Sequence, residues 1–557
     1  MAETHAAPIA TPAPAVAAGD EIAWLGLRRK WWVLAVATPS VALAEMAFTG
    51  LLFSNTQVLQ SIDTDTFGYQ WATGPYLVLL VVGALLSVRF SLTYGSQRTF
   101  LVGAIMAGLG CLVAAAAQSL SEMVIGRLLM SGKVLAMSVA VSQMWLAFPR
   151  RKGLAMGVYN AAVYGGLFIG AGIGGFLEFQ TSWRAIYGVS GALFLGLALA
   201  GHRVLIRDRP TQPVPLELNA AESTLLAIAV SVSVFLIFRG QYYGWLDSDL
   251  VAFSIVVGVL AFAGFIWSAL RSSDPLVDLR LGKFPTLALT LPVIGIFGGI
   301  VIGVLITLPA YLNLRGYPSA VEGWILFFPG VVILASCLAS GFVRGRKWTV
   351  IALWVGLAVN LVGGLWYLQA DLYTGKYTIV VMLSVWALGA GLVMPTATRL
   401  TFAGQDPKAV RQLAGVKVSL RFVMTILASF AAALVIQRGT DIGQDRLRQH
   451  VTRNNPAYPQ VITRVEQHFT ERGSHPVIAT EQAGSVVGKW VADNAQMTGH
   501  RAGRRFLLVL TAVALLLALF IRLQSETSIL ADDLNELGWG RERPVPAQVD
   551  ASQGQAK

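Results

Sequence analysis

Long apolar stretches alternate with short polar connections along most of the 557-residue chain. About fourteen of these stretches reach the roughly 20 residues that a helix needs to cross the hydrocarbon core of a bilayer. The polar connections are short, except for residues 438–504. The pattern therefore predicts an all-α polytopic membrane protein with about fourteen transmembrane helices.

Composition supports a membrane protein over a string of soluble domains. Hydrophobic residues make up 55% of the chain and charged residues 13%, whereas soluble domains carry about 25% charged residues. The mean hydropathy is +0.62. The net charge is +12, but the basic residues lie mainly in the short connections, so they indicate membrane topology and not nucleic-acid binding. The two cysteines both fall in apolar runs, and neither a disulfide framework nor a metal site is expected.

The basic residues also predict the orientation of the chain. They are concentrated in alternate connections, such as residues 28–30, 150–152 and 344–347, while the opposite connection SIDTDTFGYQ has none. Basic loops remain in the cytoplasm, so both termini are expected there. The Ala/Pro-rich residues 1–29 lack the pattern of a signal peptide and are expected to form a disordered cytoplasmic tail. Residues 525–557 form a second tail, and residues 438–504 are expected to be a polar periplasmic hairpin with weak helical character.

One carboxylate, Glu45, is placed deep in a predicted span. Burial disfavours the charged form of a carboxyl group, and a nearby cation favours it. This competition makes Glu45 a candidate proton-binding switch. The alternative is a structural ion pair whose charge is fixed.

Two cations, Arg127 and Lys133, interrupt the fourth apolar run. A cation near the middle of a span costs roughly 3 kcal/mol or more. At about 100° per residue, Lys133 lies some 120° from the helical stripe that carries Arg127. One of the two could therefore meet Glu45 while the other faces a cavity. Alternatively, Lys133 is a structural lysine satisfied by backbone carbonyls or a neighbouring helix.

A second cationic pair, Lys417 and Arg421, is spaced i and i+4 in the thirteenth span and so shares one helix face. The favoured interpretation is that both side chains snorkel to the membrane surface. If all four cations instead line a cavity, the cavity would attract anionic substrates. Further polar and aromatic candidates for its lining are Gln143, Asn160, Tyr164, Asn360 and Trp386, for which packing or lipid-facing roles are equally open.

Catalytic signatures are absent from the sequence. It contains no Walker loop, no HExxH motif and no arguable Ser-His-Asp set. The chain is therefore not expected to be an enzyme, and an ATP-driven pump is disfavoured.

Several local patterns resemble one transporter family. The fifth span reads GGLFIGAGIGGF, in which Gly170, Gly174 and Gly175 match an antiporter motif and Ala171 replaces its proline. The further matches are FPRRKGLAMG, SWR, GQYYGW, DPLVDLRL and, most specifically, LPAYLNLRGYPSAVEGWILFFPG. Together they resemble the major facilitator superfamily, and within it the fourteen-span drug:proton antiporter branch.

The resemblance implies two six-helix bundles, residues 30–206 and 286–524, with two inserted linker helices in residues 207–285. It implies a bacterial inner-membrane location and a small-molecule substrate moved by alternating access around a midplane site. The proton gradient would be the energy source, with no cofactor, and whether a periplasmic adaptor protein is recruited is left open.

The resemblance also assigns roles to individual residues. Arg127 matches the fourth-span arginine that senses or modulates protonation of a nearby acid, here Glu45. Gly95 and Arg98 match a gating loop, although Leu92 and Thr93 replace its usual Asp-Arg pair.

Three functions follow from these observations. The leading expectation is proton-coupled efflux of a small organic molecule by antiport. A proton symporter that imports an anionic nutrient or vitamin is the first alternative, supported by the loss of the motif proline and by the cationic spans. A transport-dead membrane scaffold or sensor is the second.

Overall fold

The computed structural model describes residues 27–52, 54–148, 151–205, 220–240, 242–243, 247–272, 275–277, 285–405, 407–450 and 457–521. The predicted tails, 1–29 and 525–557, lie outside these ranges apart from residues 27–29. The described residues form eighteen α-helices and one π-helical turn. In chain order they are α1 (Leu27–Thr49), α2 (Asn55–Ser61), α3 (Thr66–Tyr94), α4 (Ser96–Ala116), α5 (Leu120–Met130), α6 (Lys133–Ala147), α7 (Lys152–Asn160), the π turn (Ala161–Gly165), α8 (Gly166–Gln180), α9 (Trp183–Val204), α10 (Ala220–Arg239), α11 (Asp249–Arg271), α12 (Pro285–Asn313), α13 (Ser319–Ser340), α14 (Arg346–Leu368), α15 (Lys376–Phe402), α16 (Pro407–His450), α17 (Ala457–Glu471) and α18 (Pro476–Leu519).

These helices are arranged as two bundles and an inserted pair. Helices α1 and α3 to α9 pack together as the first bundle, and α12 to α16 with α18 pack as the second. The inserted helices α10 and α11 pack on each other, and α10 contacts α3 of the first bundle. Within the described ranges, fourteen helical segments are long and apolar enough to span a membrane. The predicted all-α architecture is confirmed. We call the end of the bundles at which α1 begins the near end, and the opposite end the far end.

The fourth span is broken between α5 and α6. The turn lies at Ser131 and Gly132, where the Ser131 hydroxyl donates to the Leu128 carbonyl at 2.6 Å. A Cβ at Gly132 would lie 2.5 Å from the Cβ of Met106 on α4, so a larger residue does not fit this close approach. Ser131 and Gly132 both keep right-handed helical backbone angles, and the span resumes at Lys133.

The glycine motif of α8 serves the contact with α1. A Cβ at Gly174 would lie 2.0 Å from the carbonyl oxygen of Gly50, and one at Gly170 would lie 2.5 Å from the Cα of Met46. Gly175 and Ala171 are also buried on α8. Small residues allow two membrane helices to approach closely, so the motif brings α8 against the helix that carries Glu45.

The loop between α3 and α4 is a tight turn at Gly95. Its φ of +87° lies in the region that glycine adopts without a Cβ penalty. Arg98, in the first turn of α4, is exposed. The geometry therefore explains the glycine of the predicted gating loop, while the role of Arg98 stays a prediction.

The two bundles meet along a seam in which α7 and α8 of the first bundle pack on α13 of the second, and α3 and α6 pack on α16. Toward the near end, a Cβ at Gly157 would lie 2.8 Å from the carbonyl oxygen of Cys337. Toward the far end, a Cβ at Gly323 would lie 2.7 Å from the carbonyl oxygen of Gly172. The seam is therefore closely packed on both sides of its centre.

Residues 438–504 are more regular than the sequence suggested. Helix α16 continues without interruption to His450, and α18 begins as early as Pro476, with α17 packed against it. A Cβ at Gly443 would lie 3.1 Å from the Cα of Ala495, so small residues hold α16 and α18 together beyond the apolar segments. The expected polar hairpin is therefore a helical extension of α16 and α18. The two helices hold together there by close backbone packing instead of by an apolar face.

Candidate functional site between the bundles

A buried ion pair joins the two bundles near the centre of the seam. Nη2 of Arg421 on α16 lies 2.5 Å from Oε1 of Glu45 on α1, and the two side chains are 6% and 1% exposed. A buried charge requires a partner, because desolvation of a lone ion costs several kcal/mol. Each residue therefore depends on the other bundle to balance its charge.

The partner of Glu45 differs from the one that the sequence suggested. Arg127 donates to the hydroxyls of Tyr69, Thr73 and Tyr187, at 3.3 Å for Thr73 and 3.4 Å for Tyr187. These contacts lie within the first bundle and tie α5 to α3 and α9. Across the described ranges, Arg421 is the residue within ion-pair distance of Glu45. A direct contact of Arg127 with Glu45, which the sequence left open, is not found in the described ranges, because Arg127 faces these hydroxyls. Its influence on the protonation of Glu45 stays a prediction.

Lys133 lies beside the ion pair but within the first bundle. Its Nζ donates to the carbonyl of Ala44 at 2.9 Å and sits 4.8 Å from the ring centre of Phe48 and 5.4 Å from that of Tyr76. The side chain is 1% exposed. Of the two alternatives from the sequence, this geometry favours the lysine that is satisfied by a carbonyl and a neighbouring helix. Its consequence is to fasten α6 to α1 at the residue preceding Glu45.

Lys417 forms the second polar contact between the bundles. Its Nζ donates to Oδ1 of Asn160 at 3.3 Å and lies 4.8 Å from the ring centre of Tyr159. Lys417 and Arg421 are 4% and 5% exposed. The favoured interpretation that they snorkel is therefore wrong. The i and i+4 spacing does place them on one face, but that face is turned into the seam, not toward the membrane surface.

Several buried polar groups of the site have no hydrogen-bond partner in the described part of the chain, among them donors of Arg421 and Tyr164. Within the described ranges, Nη1 of Arg421 and the hydroxyl of Tyr164 are buried without a hydrogen-bond partner. Tyr164 belongs to the π turn, which directly follows Asn160. Buried polar groups in proteins are normally hydrogen-bonded, and π turns inside α-helices are frequent at functional sites. The arrangement suits a ligand that supplies oxygen acceptors.

Other residues proposed from the sequence have different surroundings. Gln143 is buried on α6, a helix that also packs against α16. Asn360 donates to the carbonyl of Trp386 at 2.9 Å, which joins α14 to α15 inside the second bundle. The structure thus brings Asn160, Tyr164, Lys417 and Arg421 together with Glu45, and it gives Asn360 and Trp386 a packing contact.

Two further buried carboxyl groups lie on the seam and were missed from the sequence. Glu178 at the end of α8 is 7% exposed, and Glu322 at the start of α13 is 2% exposed. Gln57 donates to Oε1 of Glu178, while Oε2 of Glu178 and Oε1 of Glu322 have no partner in the part of the chain that is described. The two groups interact electrostatically across the seam. Both sit at the ends of apolar runs, where hydropathy does not distinguish a buried acid from a loop residue.

The fold agrees with comparisons to known proteins. Residues 37–429 match the family model of the Major Facilitator Superfamily. The chain is 25% identical over 404 residues to the multidrug resistance protein Stp of Mycobacterium tuberculosis, covering 70% of this chain and 74% of Stp. It is 25% identical over 399 residues to the lincomycin resistance protein LmrB of Listeria monocytogenes, covering 70% and 83%.

A solved structure supports the same architecture. The crystal structure of the human organic anion transporter MFSD10 superposes with a TM-score of 0.54 at 14% identity, covering 88% of this chain and 99% of that one. At this identity the likeness concerns the fold alone. With the family model matching well over half of the sequence, the chain belongs to the Major Facilitator Superfamily and is a multi-pass membrane transporter.

Proposed function

We propose that this transporter exports a small organic molecule in exchange for protons, and that Glu45 is the proton-binding group. The observation that carries the proposal is the buried ion pair between Glu45 and Arg421, which spans the two bundles. The relatives named for drug resistance support efflux as the direction. The predicted topology, with both termini in the cytoplasm of a bacterium and the protein in its inner membrane, would place the proton source at the far end.

The ion pair can couple a proton to a change in conformation. While Glu45 is ionised, its attraction to Arg421 holds α1 against α16 and keeps the seam closed. A proton on Glu45 leaves the guanidinium buried and uncompensated. Breaking a buried pair in this way costs about 3–5 kcal/mol, enough to shift an equilibrium between closed and open seams. Separation of the bundles would then expose the site to one side of the membrane.

Antiport follows if substrate and proton compete for Glu45. A cationic or hydrogen-bond-donating substrate that contacts the Glu45 carboxylate excludes the proton, and the proton excludes the substrate. Linkage requires this effect to be reciprocal. The transporter would therefore carry one or the other in each half of its cycle.

A second candidate function, proton symport of an organic anion, is favoured by the unpaired donors of the site. An anion that binds Arg421 displaces Glu45, whose carboxylate then lacks its cation and takes up a proton. Anion and proton would bind together, which is the requirement for symport. Such a symporter would import an anionic nutrient.

Transport into proteoliposomes with an imposed pH gradient tests the proposal. Lincomycin is a suitable first probe, since one relative is named for resistance to it. Proton-driven accumulation should be lost in Glu45→Gln, while exchange of substrate for substrate should remain. Glu481→Gln, which alters an exposed carboxylate of the helical extension, is the control and should behave as the wild type.

The pH dependence of ligand binding separates the candidate functions. A substrate that competes with the proton binds more tightly as the pH rises, whereas an anion that binds with the proton does so as the pH falls. Net movement of substrate together with protons would contradict antiport. No gradient-dependent movement of any compound in a broad screen would contradict both transport mechanisms and favour a scaffold.

A further inference from the structure

A membrane-facing cavity lies between the first bundle and the inserted helix α10, away from the central site. Its volume is about 360 Å³, within the range of pockets that hold small ligands. Apolar side chains of α3, α5 and α10 form most of its wall. The lining includes Gln70, Trp71, Leu128, Ser231 and Arg239.

A buried arginine stands at the far end of this cavity. Arg239 is 6% exposed, and its Nη2 donates to the carbonyl of Phe67 at 3.0 Å. Its guanidinium lies 3.3 Å from the ring centre of Phe67 and 5.0 Å from that of Trp71. A guanidinium has five N–H donors, and in the described part of the chain no carboxylate lies within ion-pair distance of Arg239. The charge is thus held in place by aromatic faces and one carbonyl.

A second polar group in the cavity wall also lacks a partner. Oε1 of Gln70, one turn into α3, is buried without a hydrogen-bond donor among the described residues. Together, Gln70 and Arg239 make the far end of the cavity polar, while its deeper part is apolar.

The dimensions of the cavity match one chain of a lipid. From Arg239 at the end of α10 to Ser231 the helix rises about 12 Å into the apolar region. Arg239 closes an apolar span and therefore lies at the level of the lipid headgroups. A guanidinium at this level can pair with the phosphate of a lipid headgroup through charge-assisted hydrogen bonds. Charge and apolar depth together suit an amphiphile with an anionic end.

We propose that this cavity binds an anionic phospholipid of the leaflet at the far end, with its phosphate on Arg239 and one acyl chain between α3 and α10. The lipid would fasten the inserted pair to the first bundle. Such a fastening is useful because α11 packs on α10 and exposes large side chains such as Phe253 and Val259, which are 67% and 62% exposed. This site is independent of the direction or substrate of transport.

Native mass spectrometry of the purified full-length protein with added phosphatidylglycerol tests the proposal. Arg239→Gln should lower the retention of phosphatidylglycerol about tenfold, the loss expected for one hydrogen-bonded charged contact. Arg239→Lys should retain part of the binding. The matched control is Arg271→Gln on α11, whose guanidinium also lies over an aromatic ring, Trp267 at 4.5 Å, but whose side chain is exposed. It should retain the lipid as the wild type does.

A variant that fills the cavity tests the binding of the acyl chain separately from that of the phosphate. Ser231→Trp should reduce lipid retention while leaving Arg239 intact, and glycerol phosphate alone should not compete. Equal retention by wild type and Arg239→Gln, with both proteins monodisperse and helical by circular dichroism, would overturn the proposal. Full competition by glycerol phosphate would also overturn it, since the site would then recognise a soluble anion and not a lipid.

Discussion

Removing one partner of the ion pair between Glu45 and Arg421 should open the seam more than removing both. In Glu45→Gln the shape of the side chain is kept, but Arg421 is left as an uncompensated buried cation. In the double variant Glu45→Gln with Arg421→Met, neither charge remains. The seam of the double variant should therefore be nearly as closed as that of the wild type.

The size of the effect follows from the burial of the pair. With both side chains almost fully buried, loss of one charge costs the closed conformation about 3–5 kcal/mol, whereas replacing both by uncharged groups is close to neutral. Because each 1.4 kcal/mol of free energy changes an equilibrium constant by a factor of about ten, the open fraction should rise by more than about 100-fold in Glu45→Gln. It should change by about tenfold or less in the double variant.

Two native cysteines provide the assay. Cys337 lies on α13 at the contact with Gly157, so separation of the bundles exposes it. Cys111 is equally buried, but it lies on α4 inside the first bundle. Alkylation by N-ethylmaleimide, quantified by peptide mass spectrometry, should accelerate strongly at Cys337 in Glu45→Gln. Labelling of Cys111 should stay slow in every variant.

Three results would refute this reasoning. If the double variant labels Cys337 as fast as Glu45→Gln does, the buried unpaired cation is not what opens the seam. If Glu45→Gln leaves the Cys337 rate unchanged, the ion pair does not contribute to closure. Equal acceleration at both cysteines would indicate unfolding of the first bundle and would likewise contradict the seam-specific effect.

Three further predictions concern other parts of the molecule. Gly174→Ala forces a Cβ to 2.0 Å from the carbonyl oxygen of Gly50, directly after α1. It should cost about 1–3 kcal/mol or more, seen as a lower thermal unfolding midpoint, whereas Gly188→Ala, with nothing within 4 Å of the added Cβ, should not destabilise. Lys417→Met should weaken the binding of organic anions about tenfold and have little effect on the binding of organic cations, as measured by ligand-induced thermal shifts. An equal loss of binding for anions and cations would contradict an anion-selective role. A hydrogen bond from the Thr374 hydroxyl, and then those from backbone amides, lower the pKa of Asp371 in the far-end loop. Since the folded pKa is depressed, the ionised carboxylate stabilises the fold above its unfolded pKa, and this contribution disappears as the pH falls through the folded pKa. Asp371→Asn should therefore lower the unfolding midpoint at pH 7 and match the wild type in strong acid.

Local sequence patterns predicted the helices but not the partners of the buried charges. Length and apolarity define a span within one segment, so the fourteen helical segments could be recognised directly. The partner of Glu45 depends on how α1 meets α16, and no local pattern encodes that contact. The spacing of Lys417 and Arg421 gave the correct shared face, yet the direction of that face is set by packing between bundles.

The sequence did not predict the partners of Arg127, because the hydroxyls of Tyr69, Thr73 and Tyr187 come from two other helices. Glu178 and Glu322 were missed for a different reason. Each lies at the boundary of an apolar run, and its burial arises from residues of the other bundle that close over it.

The helical extension of α16 and α18 makes the second bundle a lever. Each helix has 44 residues and is about 66 Å long, of which a membrane of about 30 Å accounts for less than half. Because both helices are continuous, a tilt of the bundle by about 10° displaces the tip by roughly 6 Å for a projecting length of about 36 Å. A sub-nanometre rearrangement at Arg421 is thereby converted into a displacement at the tip that a distance probe placed there can follow in real time.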